Sequence, residues 1–166
     1  SYFGKNFVGD DAVHIVRSKV EIRDNVFENS HLDALDLDLV DGSIENNSFE
    51  NSGNDSIDIS MGKMKLLNNR FNRCGDKCIS AGEGTLILVQ NSQFINCNIG
   101  IAVNDTSKLR VKNVVFDSCR IAWNSFMKKW RWEIGGVGIV EDSRFINSKE
   151  FDVLGDKLSR IDFLGG

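Results

Sequence analysis

Proline is absent from all 166 residues, so no turn can be set by a ring-locked φ, and the chain must bend at glycine, asparagine and aspartate. A run of 18 or more apolar residues is also missing, which excludes a hydrophobic membrane-spanning helix and membrane insertion by that route. The first residues, Ser1-Tyr2-Phe3-Gly4-Lys5-Asn6, lack the basic-then-apolar order of a secretory leader, so any address signal is expected outside this stretch. There is no excess of positive charge: the net charge is −4. That balance argues against a general phosphate-backbone binder, and nucleic acid is not an expected partner. The 41% of hydrophobic residues is enough to build one core, so the chain reads as a single domain, residues 1–166.

What is present is a repeat. Phe27, Phe49, Phe71, Phe94, Phe116 and Phe145 stand in closely related settings, separated by 22, 22, 23, 22 and 29 residues. A fixed period of this size, in units too small to bury an apolar side alone, marks a solenoid. Three residues before each Phe the column reads Asp24, Asn46, Asn68, Asn91, Asn113, Asp142, a polar ladder whose side chains can bond to their copies above and below. Three residues after it stand small side chains: Ser30, Ser52, Cys74, Cys97, Cys119 and Ser148.

Two strands per unit are visible from period-two alternation. Before the Phe, Val20/Ile22, Gly42/Ile44, Met64/Leu66, Ile87/Val89 and Leu109/Val111 point inward. After it, Val13/Ile15, Leu35/Leu37, Ile57/Ile59 and Ile79/Ala81 do the same. Gly9, Gly53 and Gly75 share a column just ahead of that second strand, with His31 as the exception, consistent with a turn at positive φ. A leucine-rich repeat has a similar period, but its L-x-x-L-x-L strand does not recur from unit to unit, its helical half is missing, and β-branched, Asn-rich units suit all-strand coils. The expected fold is an all-β, single-stranded parallel β-helix of about seven coils, each of roughly 22 residues.

The V-x-I-x-N-N-x-F and N-x-G-x-D-x-I-x-I pattern, seen from Ile44 to Phe49 and Asn51 to Ile59, resembles the right-handed β-helix repeats of the pectate-lyase-like superfamily over nearly the whole chain. The resemblance implies right-handed coils and favours an extracellular or cell-envelope setting. It leaves activity open, because that superfamily includes lyases, hydrolases, epimerases, adhesins and domains without assigned function.

Three of the four cysteines lie in one column, where neighbouring coils put Cα atoms about 4.8 Å apart but with parallel Cβ vectors. Cys78 stands apart, and no Cys/His pair has zinc spacing. The expectation is reduced core cysteines interchangeable with serine.

The period also stacks outward residues. His14, Asp36, Asp58 and Ser80 form one column, Val16, Asp38, Ser60 and Gly82 the next, and Asp11, Asp33, Asp55 and Lys77 run along the leading edge. Stacked like charges are destabilising and raise at least one pKa, so the cluster calls for a cation, a base or a proton. Two carboxyls about 5 Å apart suit a retaining glycosidase pair. Oxygen-rich corners also suit calcium, with Asp36, Asp38 and Asp58 as ligands. The bland alternatives are a solvated face for these three and turn-amide acceptors for the edge column.

Gly9-Asp10-Asp11 resembles the G-D-D element of polygalacturonase-like hydrolases, where paired aspartates act with a third on a neighbouring coil, a place Asp33 or Asp36 could fill. That family's N-T-D and G-H-G elements are missing, as is the D-P-H-D of alginate epimerases. A lyase mechanism would need an arginine base, for which Arg17 is the nearest candidate.

The 29-residue interval leaves about seven extra residues for an aromatic and basic outgrowth at about 123–136, which holds all three tryptophans. Indole faces with Lys and Arg can stack sugars or hold anionic groups. The competing reading is a lid over apolar edge surface. The chain ends after an irregular turn, so further domains of the same protein are expected neighbours.

Two functions remain. In the first, a polysaccharide or oligosaccharide binds, and is processed by a hydrolase or lyase reaction, at the acidic face. Asp36, Asp58 and His14 then carry the chemistry, while Asp38, Lys77, Trp130 and Trp132 contact substrate. The second is a non-catalytic structural or protein-interaction module of a larger surface or envelope protein.

Overall fold

The computed structural model describes residues 1–165. Each coil contributes one short strand to each of three parallel, seven-stranded sheets, stacked in sequence order. The first sheet runs from Tyr2–Asn6 to Arg144–Ile146 and carries the Phe column. The second runs from Val13–Val16 through Leu35–Asp38, Ile57–Ser60, Lys77–Gly82, Ile99–Asn104 and Ile121–Phe126 to Phe151–Gly155. The third runs from Lys19–Arg23 to Arg160–Leu164. A 3-10 turn at Trp130–Trp132 interrupts this all-strand pattern, and no helix among the described residues is long and apolar enough to cross a membrane.

Register follows the repeat. Phe27, Phe49, Phe71, Phe94, Phe116 and Phe145 are successive Cα partners, and their rings stack 4.8–5.1 Å apart. Phe3 extends the stack at one end, while Phe163 meets Phe145 edge-on at the other. The five rings from Phe27 to Phe116 are fully buried, so each contributes on the order of 3–5 kcal/mol relative to alanine.

Asn, Asp and Ser take over the work of proline at the corners. The column from Asp24 to Asp142 adopts left-handed φ of 45–57°, a region that Asn and Asp enter more readily than other L-residues. Its side chains bond coil to coil, as in Asn68 Nδ2 to Asn46 Oδ1 at 3.2 Å and Asn113 Nδ2 to Asn91 Oδ1 at 2.8 Å. The adjacent residues form a second, buried ladder that the repeat reading overlooked. Asn47 Nδ2 donates to the carbonyls of Ile22 and Glu45 and to Asn69 Oδ1, while Asn47 Oδ1 accepts the Asn25 N–H.

Several expectations are corrected. Gly9, Gly53 and Gly75 do not have positive φ. Glycine is required at two of them by close coil stacking: a Cβ on Gly53 would lie 1.9 Å from the His31 carbonyl oxygen, and one on Gly75 2.0 Å from that of Gly53. The final turn is regular, since Phe151–Gly155 and Arg160–Leu164 pair in register with the coil before. Trp123 is not in the outgrowth: it lies in Ile121–Phe126, fully buried, with Nε1 donating to Ser125 Oγ at 2.8 Å. The extra residues fall instead between Phe126, in register with Asn104, and Val137, in register with Lys108.

The cysteines are not all reduced: Cys78 pairs with Cys97, leaving Cys74 and Cys119 free. Cys78 is buried in the column Ala34, Ser56, Cys78, Gly100, Ala122. This column of small residues faces the Ser30-to-Ser148 column, as the Ser52 Oγ to Ser56 Oγ bond of 3.0 Å shows one coil below. Cys78 stands opposite Cys74, with 2.9 Å between their sulfurs, and bonds instead to Cys97 of the next coil.

Candidate functional site

The second sheet alternates with its core. Leu35, Leu37, Ile57 and Ile59 are fully buried, which turns Asp36, Asp38, Asp58 and Ser60 outward. Register then places His14, Asp36, Asp58 and Ser80 in one line and Val16, Asp38, Ser60 and Gly82 in the other. His14 Nε2 lies 3.5 Å from Asp36 Oδ2 and 3.3 Å from Asp38 Oδ2. Partial burial, followed by the charge of Asp38, pushes the Asp36 carboxyl up to about 6, against the pull of His14. Burial also raises Asp58, opposed by a hydrogen bond with Ser80.

The edge column is tied into the backbone. Asp33 Oδ1 accepts the Asp55 N–H at 2.8 Å, and Asp55 Oδ1 accepts the Lys77 N–H at 3.0 Å. These acidic groups therefore cap the turn of the following coil, as the turn-acceptor alternative requires. The Lys77 ammonium sits 3.1 Å from Asp55 and also contacts Asp76. Burial pushes Asp55 up to about 7 despite that neighbour. It also works against the Lys77 charge, but Asp55 and Asp76 outweigh it and the lysine pKa is raised. Lys77 is thus engaged in a buried pair beside the strip.

The outgrowth leaves the same sheet where the strip ends. Asp105 is fully buried, and its Oδ1 accepts the N–H groups of both Lys128 and Lys129 at 2.8 Å. Glu83, one coil below, holds the side chains of Lys129 and Arg131. Between this root and the sheet is a small cavity of about 30 Å³ lined by Asp58, Ser60, Ser80, Asn104, Asp105 and Lys128, among others, room for about one water. Asp105 Oδ2 is buried and meets no hydrogen-bond partner among the described residues. The sequence reading missed Glu83, Asn104, Asp105 and Lys128 as site residues. Their signal was there: Glu83 and Asp105 stand 22 residues apart, and the basic run Lys128-Lys129 is the nearest counter-charge.

Trp130 and Trp132 do not line this cavity. Trp130 is 85% exposed; Trp132 packs over the turn at Gly84 and Thr106. The carboxylates and the outgrowth's lysines converge, while the indoles stand to the side.

Among the described residues three groups have donor atoms within 4.8 Å of one another; one is Cys74, Cys78 and Cys97, in which Cys78 and Cys97 are joined to each other, and the two acidic groups are Asp11, His14 and Asp36, and Asp33, Asp55 and Asp58. The structure therefore divides Asp36 and Asp58 between two groups. Calcium takes 6–8 oxygen ligands, waters included. In the first group an imidazole nitrogen occupies one position; in the second, Asp33 and Asp55 each have an oxygen committed to the backbone and Lys77.

Three parallel sheets, a coil repeat near 22 residues and an outward polar strip on one sheet define a parallel β-solenoid with a laterally exposed candidate site. The chain belongs to the right-handed β-helix family: residues 11–153 match the family described as "Right handed beta helix region". The pectate-lyase-like resemblance is consistent with that membership. Comparison with curated proteins and with solved structures yields no match.

Proposed function

We propose that the strip formed by His14, Asp36, Asp38 and Asp58 binds a polysaccharide, and that Asp36 and Asp58 act on it as a general acid/base and a nucleophile. The observation that carries this reading is the direct register of Asp36 on Asp58, with both carboxyls held above the usual range by burial. Strand neighbours are about 4.8 Å apart, close to the roughly 5–5.5 Å carboxyl separation of a retaining glycosidase. A carboxyl near 6 can carry a proton to a leaving oxygen at neutral pH. His14 holds Asp36 and Asp38 in place, and the polar cavity at the foot of the outgrowth supplies hydroxyl and amide groups beside Asp58.

The test is a thermal melt against acidic and neutral polysaccharides, with and without calcium, followed by a turnover assay on any ligand that raises the melting temperature. Asp58→Asn is expected to abolish turnover and leave the fold and the ligand-induced shift largely intact. Unchanged turnover excludes the acid/base and nucleophile pair, and no shift with any ligand moves the preference to the structural or interaction module. That second reading draws on the apolar residues exposed on the outer coils, among them Phe7, Val8, Phe163 and Leu164.

A further inference from the structure

The third sheet presents a different surface. On its outer side, register aligns Lys63, Leu86, Lys108 and Val137 in one column and Lys65, Leu88, Arg110 and Ile139 in the next. Basic and apolar rungs therefore alternate up the stack. An open groove of about 420 Å³ lies over these rungs and extends to Gly42. Leu86 is 40% exposed in it. Arg110 is engaged by Glu141, whereas the ammonium groups of Lys63, Lys65 and Lys108 form no ion pair among the described residues. Acidic side chains stand one rung outside the grid on either side, Asp41 below Lys63 and Asp162 above Ile139.

We propose that this groove docks an acidic amphipathic helix of a partner protein. Charge complementarity sets the sign: three lysine ammonium groups with no ion pair among the described residues flank an apolar floor on a chain of net charge −4, the Asp41 carboxylate beside Lys63 being taken up by that residue's backbone N–H at 2.8 Å. The lining sets the secondary structure. It consists of aliphatic side chains and lysine or arginine stems, with hydrogen-bonding capacity only at the cationic tips. An extended peptide or a sugar laid on it would lose backbone or hydroxyl hydrogen bonds to water and regain few, whereas a helix satisfies its own backbone. Spacing agrees: the rungs on either side of Leu86/Leu88 are about 9.6 Å apart, twice the strand separation, which matches the roughly 10 Å width of a helix. A helix lying along the Leu86/Leu88 rung sets its apolar stripe on the leucines and its acidic flanks on Lys63 and Lys65 to one side and Lys108 to the other. This inference is independent of the acidic strip, which lies on another sheet.

The experiment is fluorescence anisotropy with a labelled peptide about five turns long, carrying leucine at helical spacing and glutamate elsewhere, against a copy with lysine in place of glutamate. The glutamate peptide is expected to bind at least tenfold tighter than the lysine peptide. Its affinity should fall at least tenfold in the double variant Lys63→Glu/Lys108→Glu, fall similarly in Leu86→Ser/Leu88→Ser, and weaken with salt. All four side chains point outward, and an unchanged melting temperature confirms that each variant folds. Equal binding of both peptides, indifference to either variant, or displacement of the peptide by a polyuronate chain overturns the proposal, the last by assigning the groove to a glycan.

Discussion

Asn47 donates from Nδ2 to Oδ1 of Asn69 at 3.1 Å, and the same amide group satisfies two backbone carbonyls of its own coil and the one below. Removing it strands several buried polar groups at once, each costing about 1–3 kcal/mol. Asn47→Ala is therefore expected to lose about 3 kcal/mol in urea unfolding. Asn46→Ala, one residue away on the exposed ladder, should lose less than about 1 kcal/mol. Equal losses would show that the buried ladder has no special weight.

Asp36, Asp55, Asp58 and Asp11 all have carboxyls raised in the folded state, chiefly by burial. Between the unfolded value near 4 and the folded values, the native chain holds more protons than the unfolded one, so stability falls as pH rises through about 4 to 7. Glu141, lowered by Lys112 and Arg110, and Asp156, lowered by backbone N–H groups and Ser159, act in the opposite sense and only at more acid pH. Asp36→Asn should raise stability above pH 6 and leave it unchanged near pH 4. Urea melts across that range read the slope directly; a variant parallel to the parent would remove Asp36 from this account.

Burial pushes the thiols of Cys74 and Cys119 up to about 12 and about 11. A thiol so placed reacts slowly because its thiolate is scarce and shielded. A colorimetric thiol reagent at pH 8 is expected to find neither in the native protein and both in denaturant. Rapid native labelling of Cys74 would mean that the coil around it opens locally.

Asp105 and Glu83 anchor the outgrowth by backbone and side-chain bonds respectively. Glu83→Ala should expose Lys128, Lys129 and Arg131 to trypsin, with cleavage rising severalfold while the melting temperature moves little. Asp105→Ala should do the same at a larger cost in stability, since it leaves two N–H groups without their acceptor. Cleavage unchanged in both would place the anchor elsewhere.

The fold was legible because a single residue type recurs in one column: Phe27 to Phe145 fixes period, register and core together. The acidic strip followed from the same arithmetic, and Asp36, Asp58 and His14 fall on the rungs the period assigns. What escaped depends on distances within a corner rather than on spacing. Gly53 resembles a positive-φ turn residue in sequence and is instead a place where two backbones nearly touch. Cys78 lies outside the cysteine column and still bonds to Cys97, because the two columns of small residues face each other across one corner, a closeness that spacing alone does not show. The cavity beside Asp58 needs Lys128, which lies in the one segment that breaks the period, where counting residues has no purchase.

Neighbouring coils in a solenoid are joined by weak contacts repeated at every step, so loss of structure can creep inward from either end one coil at a time. The Cys78–Cys97 bond is different in kind, a covalent rivet between two successive coils in mid-stack. Fraying that starts at Tyr2 and fraying that starts at Leu164 both arrive at a joint that cannot part without a reductant. Amide exchange should accordingly be slowest there, and reduction should merge two separately fraying halves into a single unbroken path of unwinding.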